Sequence, residues 1–197
     1  GAALALEFSL LNLTGESYFV NNAAEVSGGS IHGADSIMNV SGHEEYAYFA
    51  GNVAGTDFGG AIYWRGNDAS ISIEAPSYFF NNSSPTAGAV YLSGRGLDAF
   101  LFEAVFESNV ARKNGGALVV HSIGLASSFS VVEGCVFYGN KAKFNGGAIL
   151  ASSGYVSLEY LSLHHNIADD SGGAIFSDGG YTVSAINVVG TEMSYNQ

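Results

Sequence analysis

Phe106-Glu-Ser-Asn109, Gly115-Gly116-Ala117-Leu118, Phe137-Tyr-Gly-Asn140 and Gly146-Gly147-Ala148-Ile149, taken in that order, decide the fold. An apolar residue stands three positions before an Asn, and a Gly-Gly-Ala-aliphatic run follows. The Asn tag returns as Phe19-Val-Asn-Asn22, Phe49-Ala-Gly-Asn52, Phe79-Phe-Asn-Asn82, Leu163-His-His-Asn166 and Met193-Ser-Tyr-Asn196. Steps between the tag asparagines are 30, 30, 27, 31, 26 and 30 residues. The glycine tag returns as Gly28-Gly29-Ser30-Ile31, Gly59-Gly60-Ala61-Ile62, Ala87-Gly88-Ala89-Val90 and Gly172-Gly173-Ala174-Ile175. A period of this length with a fixed tag order marks a stacked-repeat protein. Function is then sought on a surface rather than in a pocket.

Each period holds three short runs suited to strands. In one period they are Phe100-Leu101-Phe102, then Ala104-Val105-Phe106-Glu107, then Ala117-Leu118-Val119-Val120. The runs are β-branched, aromatic or aliphatic and are bounded by Gly, Asn, Ser or Asp, and no useful helical period appears. A period too short for helical crossovers winds most simply as an all-β, right-handed parallel β-helix, a three-faced solenoid of about 6–7 coils. At roughly 4.8 Å per coil the rod is about 30 Å long. Propeller blades need about 40 residues, and leucine-rich repeats carry a different spacing.

Stacking gives each tag a task. Asn22, Asn52, Asn82, Asn109, Asn140, Asn166 and Asn196 form one ladder in which each amide donates to one neighbour and accepts from the other. Asn also tolerates the left-handed backbone of a corner. The apolar residue before it points to the core. The glycine pair permits positive φ and close backbone approach. Ser30 and Ala87 depart from the pattern, and both are small.

Composition bounds the rest. The chain has 197 residues, 47% hydrophobic and 12% charged, and Pro occurs only 2 times, which excludes collagen and a disordered linker. The repeat runs end to end, so residues 1–197 read as a single β-helix segment of a longer repeat protein with both ends uncapped; Leu4, Leu6, Phe8 and Leu10 crowd the start. No apolar stretch approaches the ~20 residues of a membrane span. Eighteen acids against six bases give a formal charge of -12, which disfavours a nucleic-acid partner. Cys135, the single cysteine, sits in an apolar run and reads as a small buried thiol.

These tags resemble the Phe-x-x-Asn and Gly-Gly-Ala-(Ile/Leu/Val) repeats of the chlamydial polymorphic membrane proteins, the Pmp family of autotransporter passengers. The resemblance covers the whole chain, through seven Asn tags and six glycine tags. It implies a secreted β-helical passenger, exported through a carboxy-terminal barrel, extracellular or associated with the outer membrane, and acting in adhesion. Implied partners are host-cell or extracellular proteins or glycans, and neighbouring repeat segments through self-association. The barrel and some of the cysteines usual in the family are missing from this chain. An alternative is a structural component of an extracellular filament or cell wall built from the same repeat.

Parallel β-helices also serve polysaccharide lyases and epimerases, which need clustered carboxylates with a base, often beside Ca²⁺. The candidate is Glu74, Glu103, Glu133 and Glu159, one per coil, expected either as a weak Ca²⁺ ladder or as outward, solvated groups at a drifting bend. No other cofactor is expected, and no catalytic residue is assigned. Between the tags lies a charged column: Asp57, Arg112-Lys113, Lys141 and Lys143, then Asp169-Asp170. It reads as a salt-bridge cluster or a patch for an acidic partner. His164 and His165 adjoin in a strand and so face opposite ways, while His32, His43 and His121 lack partners at metal spacing. Asn12, Asn39, Asn81 and Asn82 open glycosylation sequons, and Asn82 is required in the ladder. Tyr18, Tyr48 and Tyr78 each precede the Phe of an Asn tag, so alternation turns them outward as a stripe that either binds or stabilises.

Overall fold

The computed structural model describes residues 1–41, 46–74, 76–122, 129–152, 154–179 and 184–197. Every regular element among them is a strand, and every pairing joins a strand to its counterpart one coil away, in parallel. One full winding runs through Ile62–Arg65, Ser70–Ile73, Ser77–Phe80 and Ser83–Ser84. Repetition of these four builds three sheets of seven strands and a fourth of six.

The fourth sheet extends the three-faced expectation. Its strands, such as Val53–Ala54, Val110–Ala111 and Ile167–Ala168, are two residues long and follow directly on the ladder Asn. Two residues display no alternation, so no periodicity in the sequence marks them. Lys141, placed above in the charged column between the tags, belongs to this sheet: it pairs with Val110 on one side and Ile167 on the other.

Alternation decides what faces the axis. In Ile62–Arg65, Ile62 and Trp64 are buried while Tyr63 and Arg65 face outward; Ser77–Phe80 buries Ser77 and Phe79. The tag rings Phe19, Phe49, Phe79, Phe106 and Phe137 then stack along the axis with centroids 4.9, 4.8, 4.7 and 4.6 Å apart and planes within 6° of parallel. Leu163 and Met193 continue the file in register. Each buried ring contributes about 1.5–3 kcal/mol through removal from water, and stacking adds about 0.5–1.5 kcal/mol.

Trp64 is wholly buried, and Gly33 lies opposite it in the preceding coil. A Cβ on Gly33 would stand 2.1 Å from the indole, so the missing side chain is the space the indole fills. This large-to-small pairing spans two coils and carries no tag.

The glycine tag divides its labour. The first position is left-handed, with φ 62 at Gly28, 62 at Gly59 and 64 at Gly115. Ala87 holds the same place at φ 61, so a methyl is tolerated there with strain. The second position has ordinary φ but no room. A Cβ on Gly88 would lie 2.1 Å from the Gly116 carbonyl oxygen, and one on Gly116 would lie 1.9 Å from that of Gly147. Coils touch backbone to backbone at this corner. Ser30 occupies the Ala place of its tag fully buried, and its hydroxyl has no hydrogen-bond partner among the described residues.

Candidate functional site

The asparagine column is continuous over all seven tags. Asn109 shows one rung: its Oδ1 accepts from the backbone N–H of Asn82 at 3.0 Å and from Asn82 Nδ2 at 3.0 Å. Its own Nδ2 donates to Asn140 Oδ1 at 3.0 Å and to the Phe79 carbonyl at 2.8 Å. Asn52, Asn82, Asn140 and Asn166 repeat the pattern, and Asn22 and Asn196 end it. Asn52, Asn82, Asn109, Asn140 and Asn166 are completely buried, so every amide hydrogen and lone pair inside this column is spoken for.

One expectation needs correction. The left-handed residue at this corner is the one before the ladder Asn: Asn21, Gly51, Asn81, Ser108, Gly139, His165 and Tyr195, with φ between 53 and 64. The ladder amide must lie in the plane of the stack, so the chain reverses one residue earlier, where the side chain is free to point to solvent.

Outside the tag rings lies the tyrosine stripe. Tyr18, Tyr48 and Tyr78 pair in register across three coils and face outward, with Tyr18 57% and Tyr78 40% exposed. Successive ring centroids lie 6.4 and 6.3 Å apart. A fourth ring joins them: Tyr46 stands edge-on to Tyr18 at 5.8 Å and to Tyr78 at 6.0 Å. Its hydroxyl lies 2.6 Å from that of Tyr18, and Tyr18 donates to Glu16 at 3.0 Å. These two partners, Tyr46 first, hold the Tyr18 hydroxyl above its ordinary range. The four rings enclose an open groove of about 370 Å³. Tyr46 lies two residues before Tyr48, outside any tag, and an aromatic at that alternate position is the one signal that would have found it.

The glutamate column does not align. Glu133 pairs with Glu159, but the residue of the preceding coil opposite Glu133 is Phe102. Glu103 comes one residue later, in a left-handed turn at φ 51. Glu74 follows Ser70–Ile73 and accepts a hydrogen bond from Ser72 at 2.6 Å; Glu159 accepts one from Ser157 at 2.6 Å. The strands themselves stay in register, with Leu101 opposite Val132 and Val105 opposite Val136, but Glu103 stands one residue beyond the place that Glu133 and Glu159 fill, so four carboxylates in one file are reduced to one adjacent pair. No group of three potential metal ligands occurs among the described residues.

In the charged column Lys141 and Asp169 approach at 4.0 Å, both about half exposed, and Arg112 reaches back to the Gly55 carbonyl. Contacts of this kind contribute little. Cys135 is fully buried, and burial pushes its thiol up to about 12. His164 sits on the outer face between Ser162 and Ser194. His165 does not face inward as strand alternation requires, because the strand Ser162–His164 has ended and the corner turns it outward between Tyr138 and Tyr195. His43 lies outside the described residues. Among the sequon asparagines, Asn39 donates to Asn12 at 3.0 Å across neighbouring coils.

A model of the Chlamydia polymorphic membrane protein repeat matches residues 134–152, the span that holds the tag ending at Asn140 and the glycine tag from Gly146. The chain is also similar to the probable autotransporter YfaL of Escherichia coli (strain K12), with 32% identity over 177 residues, covering 79% of this chain and 13% of that protein. The chain thus spans 13% of that relative's length. No solved structure matches it. The resemblance read from the tags is borne out by both comparisons.

Proposed function

We infer that this chain, which carries the repeat of the Chlamydia polymorphic membrane proteins, is a length of an autotransporter passenger displayed at the cell surface, and that it works by binding rather than by catalysis. The observation that carries this reading is the division of the molecule into a repeated interior of stacked amides and rings and an exterior that carries the four-ring aromatic cluster of Tyr18, Tyr46, Tyr48 and Tyr78. A rod held by stacked amides and rings needs no particular outer side chain, so outward positions are available for recognition. Tyrosine supplies large contact area with little conformational entropy to lose, and hydroxyls at its rim add direction. An extracellular protein surface with its own aromatic or Arg anchors is the partner that fits this patch.

The test is binding of the purified chain to cells or immobilised surface proteins, compared with Tyr18→Ser, Tyr46→Ser, Tyr48→Ser and Tyr78→Ser combined. Loss of binding with the melting transition kept supports the patch. Equal binding by the variant removes it.

A further inference from the structure

A second outward feature lies on the opposite part of the coil, on the sheet that follows the glycine tags. Arg65, Ser93 and His121 are paired in register across three coils, and Tyr63 and Tyr91 form the adjacent outward file. Immediately after them the chain places Gly66 and Gly94, also stacked: a Cβ on Gly94 would stand 1.9 Å from the Gly66 carbonyl oxygen. Coils meet backbone to backbone at these two levels, and a trough of about 700 Å³ lined in part by both glycines runs along the rod.

Its walls are chemically mixed. On one side Phe58 lies against Tyr91 at 4.3 Å and Tyr63 at 5.7 Å, forming a packed aromatic wall. Asn67 and Arg95 line the trough beyond the glycines. Arg65 and Arg95 are exposed, and neither has an ion-pair partner among the described residues. Asp35, also at the trough, is engaged by the backbone N–H of Asn67 at 2.8 Å. In a chain with 18 acids and six bases, two unpaired guanidiniums along one groove are a local reversal of sign.

We propose that this trough binds an acidic oligosaccharide of the uronic-acid type, its carboxylates held by Arg65 and Arg95 and its hydroxyls by the polar groups between them. Guanidinium is the donor best matched to a carboxylate, which it can hold through two parallel hydrogen bonds. The hydroxyl, amide and imidazole groups of Tyr63, Tyr91, Ser93, Asn67 and His121 offer the dense donor and acceptor set that a sugar ring demands. An acidic peptide fits less well. The strands beneath it are paired with neighbours on both sides, which leaves no edge for strand addition. Burial pushes the Tyr63 and Tyr91 hydroxyls above the ordinary phenol range.

The site is separate from the tyrosine patch, and its test does not depend on that reading. Titration calorimetry of the whole chain with a galacturonic-acid trimer is set against the neutral galactose trimer and an Asp/Glu peptide of equal charge. Binding of the acidic trimer in preference to both others is expected, weakened at least tenfold by Arg65→Gln and by Arg95→Gln and unchanged by Lys143→Gln, which removes the same charge elsewhere. Thermal melts of the variants confirm that each is folded. The proposal is overturned by no binding of the acidic trimer, by equal or tighter binding of the neutral trimer or the peptide, by arginine variants that bind like the parent, or by an equal loss in Lys143→Gln.

Discussion

Truncating one rung in the middle of the ladder should cost far more than truncating the rung at its end. Asn109→Ala removes four hydrogen bonds made by one buried side chain. Asn140 Oδ1 keeps a partner, because it still accepts from the Asn109 backbone N–H at 3.0 Å. Two groups do not: the Asn82 N–H and one Asn82 amide hydrogen, whereas the Phe79 carbonyl keeps the ladder bond from the strand Val105–Glu107. At about 1–3 kcal/mol for each buried group left unpaired, the expected loss is roughly 2–6 kcal/mol. Asn22→Ala loses only the bond from Nδ2 to Asn52 Oδ1, whose acceptor retains the Asn22 backbone N–H, so its cost is at most about 1 kcal/mol. Urea unfolding of both variants beside the parent, followed by circular dichroism, measures the difference. Asn109→Asp sharpens the test. A carboxylate cannot donate to Asn140 or Phe79, and its burial raises its pKa, so the variant should regain stability relative to the parent as pH falls toward 4. Equal costs for Asn22→Ala and Asn109→Ala, or an Asn109→Ala loss below about 1 kcal/mol, would refute the account of the ladder.

Gly116→Ala should destabilise by more than about 3 kcal/mol, since its Cβ would meet backbone of the next coil, whereas Gly115→Ala, at the place where Ala87 already sits, should cost about 1–2 kcal/mol; chemical denaturation ranks them. Ser30→Ala should stabilise by about 1 kcal/mol, because it removes a buried hydroxyl without a partner and matches the Ala of the other tags; a lower melting temperature would count against this. The Cys135 thiol ionises in the folded chain only near pH 12, above its unfolded value, so its contribution to stability is present below pH 9 and is lost as pH rises from there. The parent should therefore lose stability faster than Cys135→Ala between pH 9 and 11, as read by urea midpoints.

Much of this molecule was legible because it repeats. Phe49, Phe79 and Phe106, like Asn52, Asn82 and Asn109, recur at steps of 30 and 27 residues with the same tag order, and a recurring tag in a solenoid is vertical alignment. Tyr18, Tyr48 and Tyr78 followed by alternation alone. Features that join unlike positions were not legible. Tyr46 reaches the stripe from beside it, Gly33 receives Trp64 from the next coil, and the trough needs Gly66 and Gly94 beside Phe58, which belongs to a different part of the winding. The glutamates show the opposite failure, for similar spacing in the sequence hid a one-residue offset that places Phe102 rather than Glu103 opposite Glu133.

By itself the amino-acid order determined the winding: local strand propensity, a period near thirty residues and interchangeable tags admit one way of stacking. Only the tertiary structure decided the register at the bends, the residue that carries each left-handed turn, and which outer side chains become neighbours. The physical reason is that a side chain's direction reverses with every residue of slip along a strand, while its lateral neighbours come from segments about thirty residues away whose turns differ in length. Those offsets are set by the packing of whole coils.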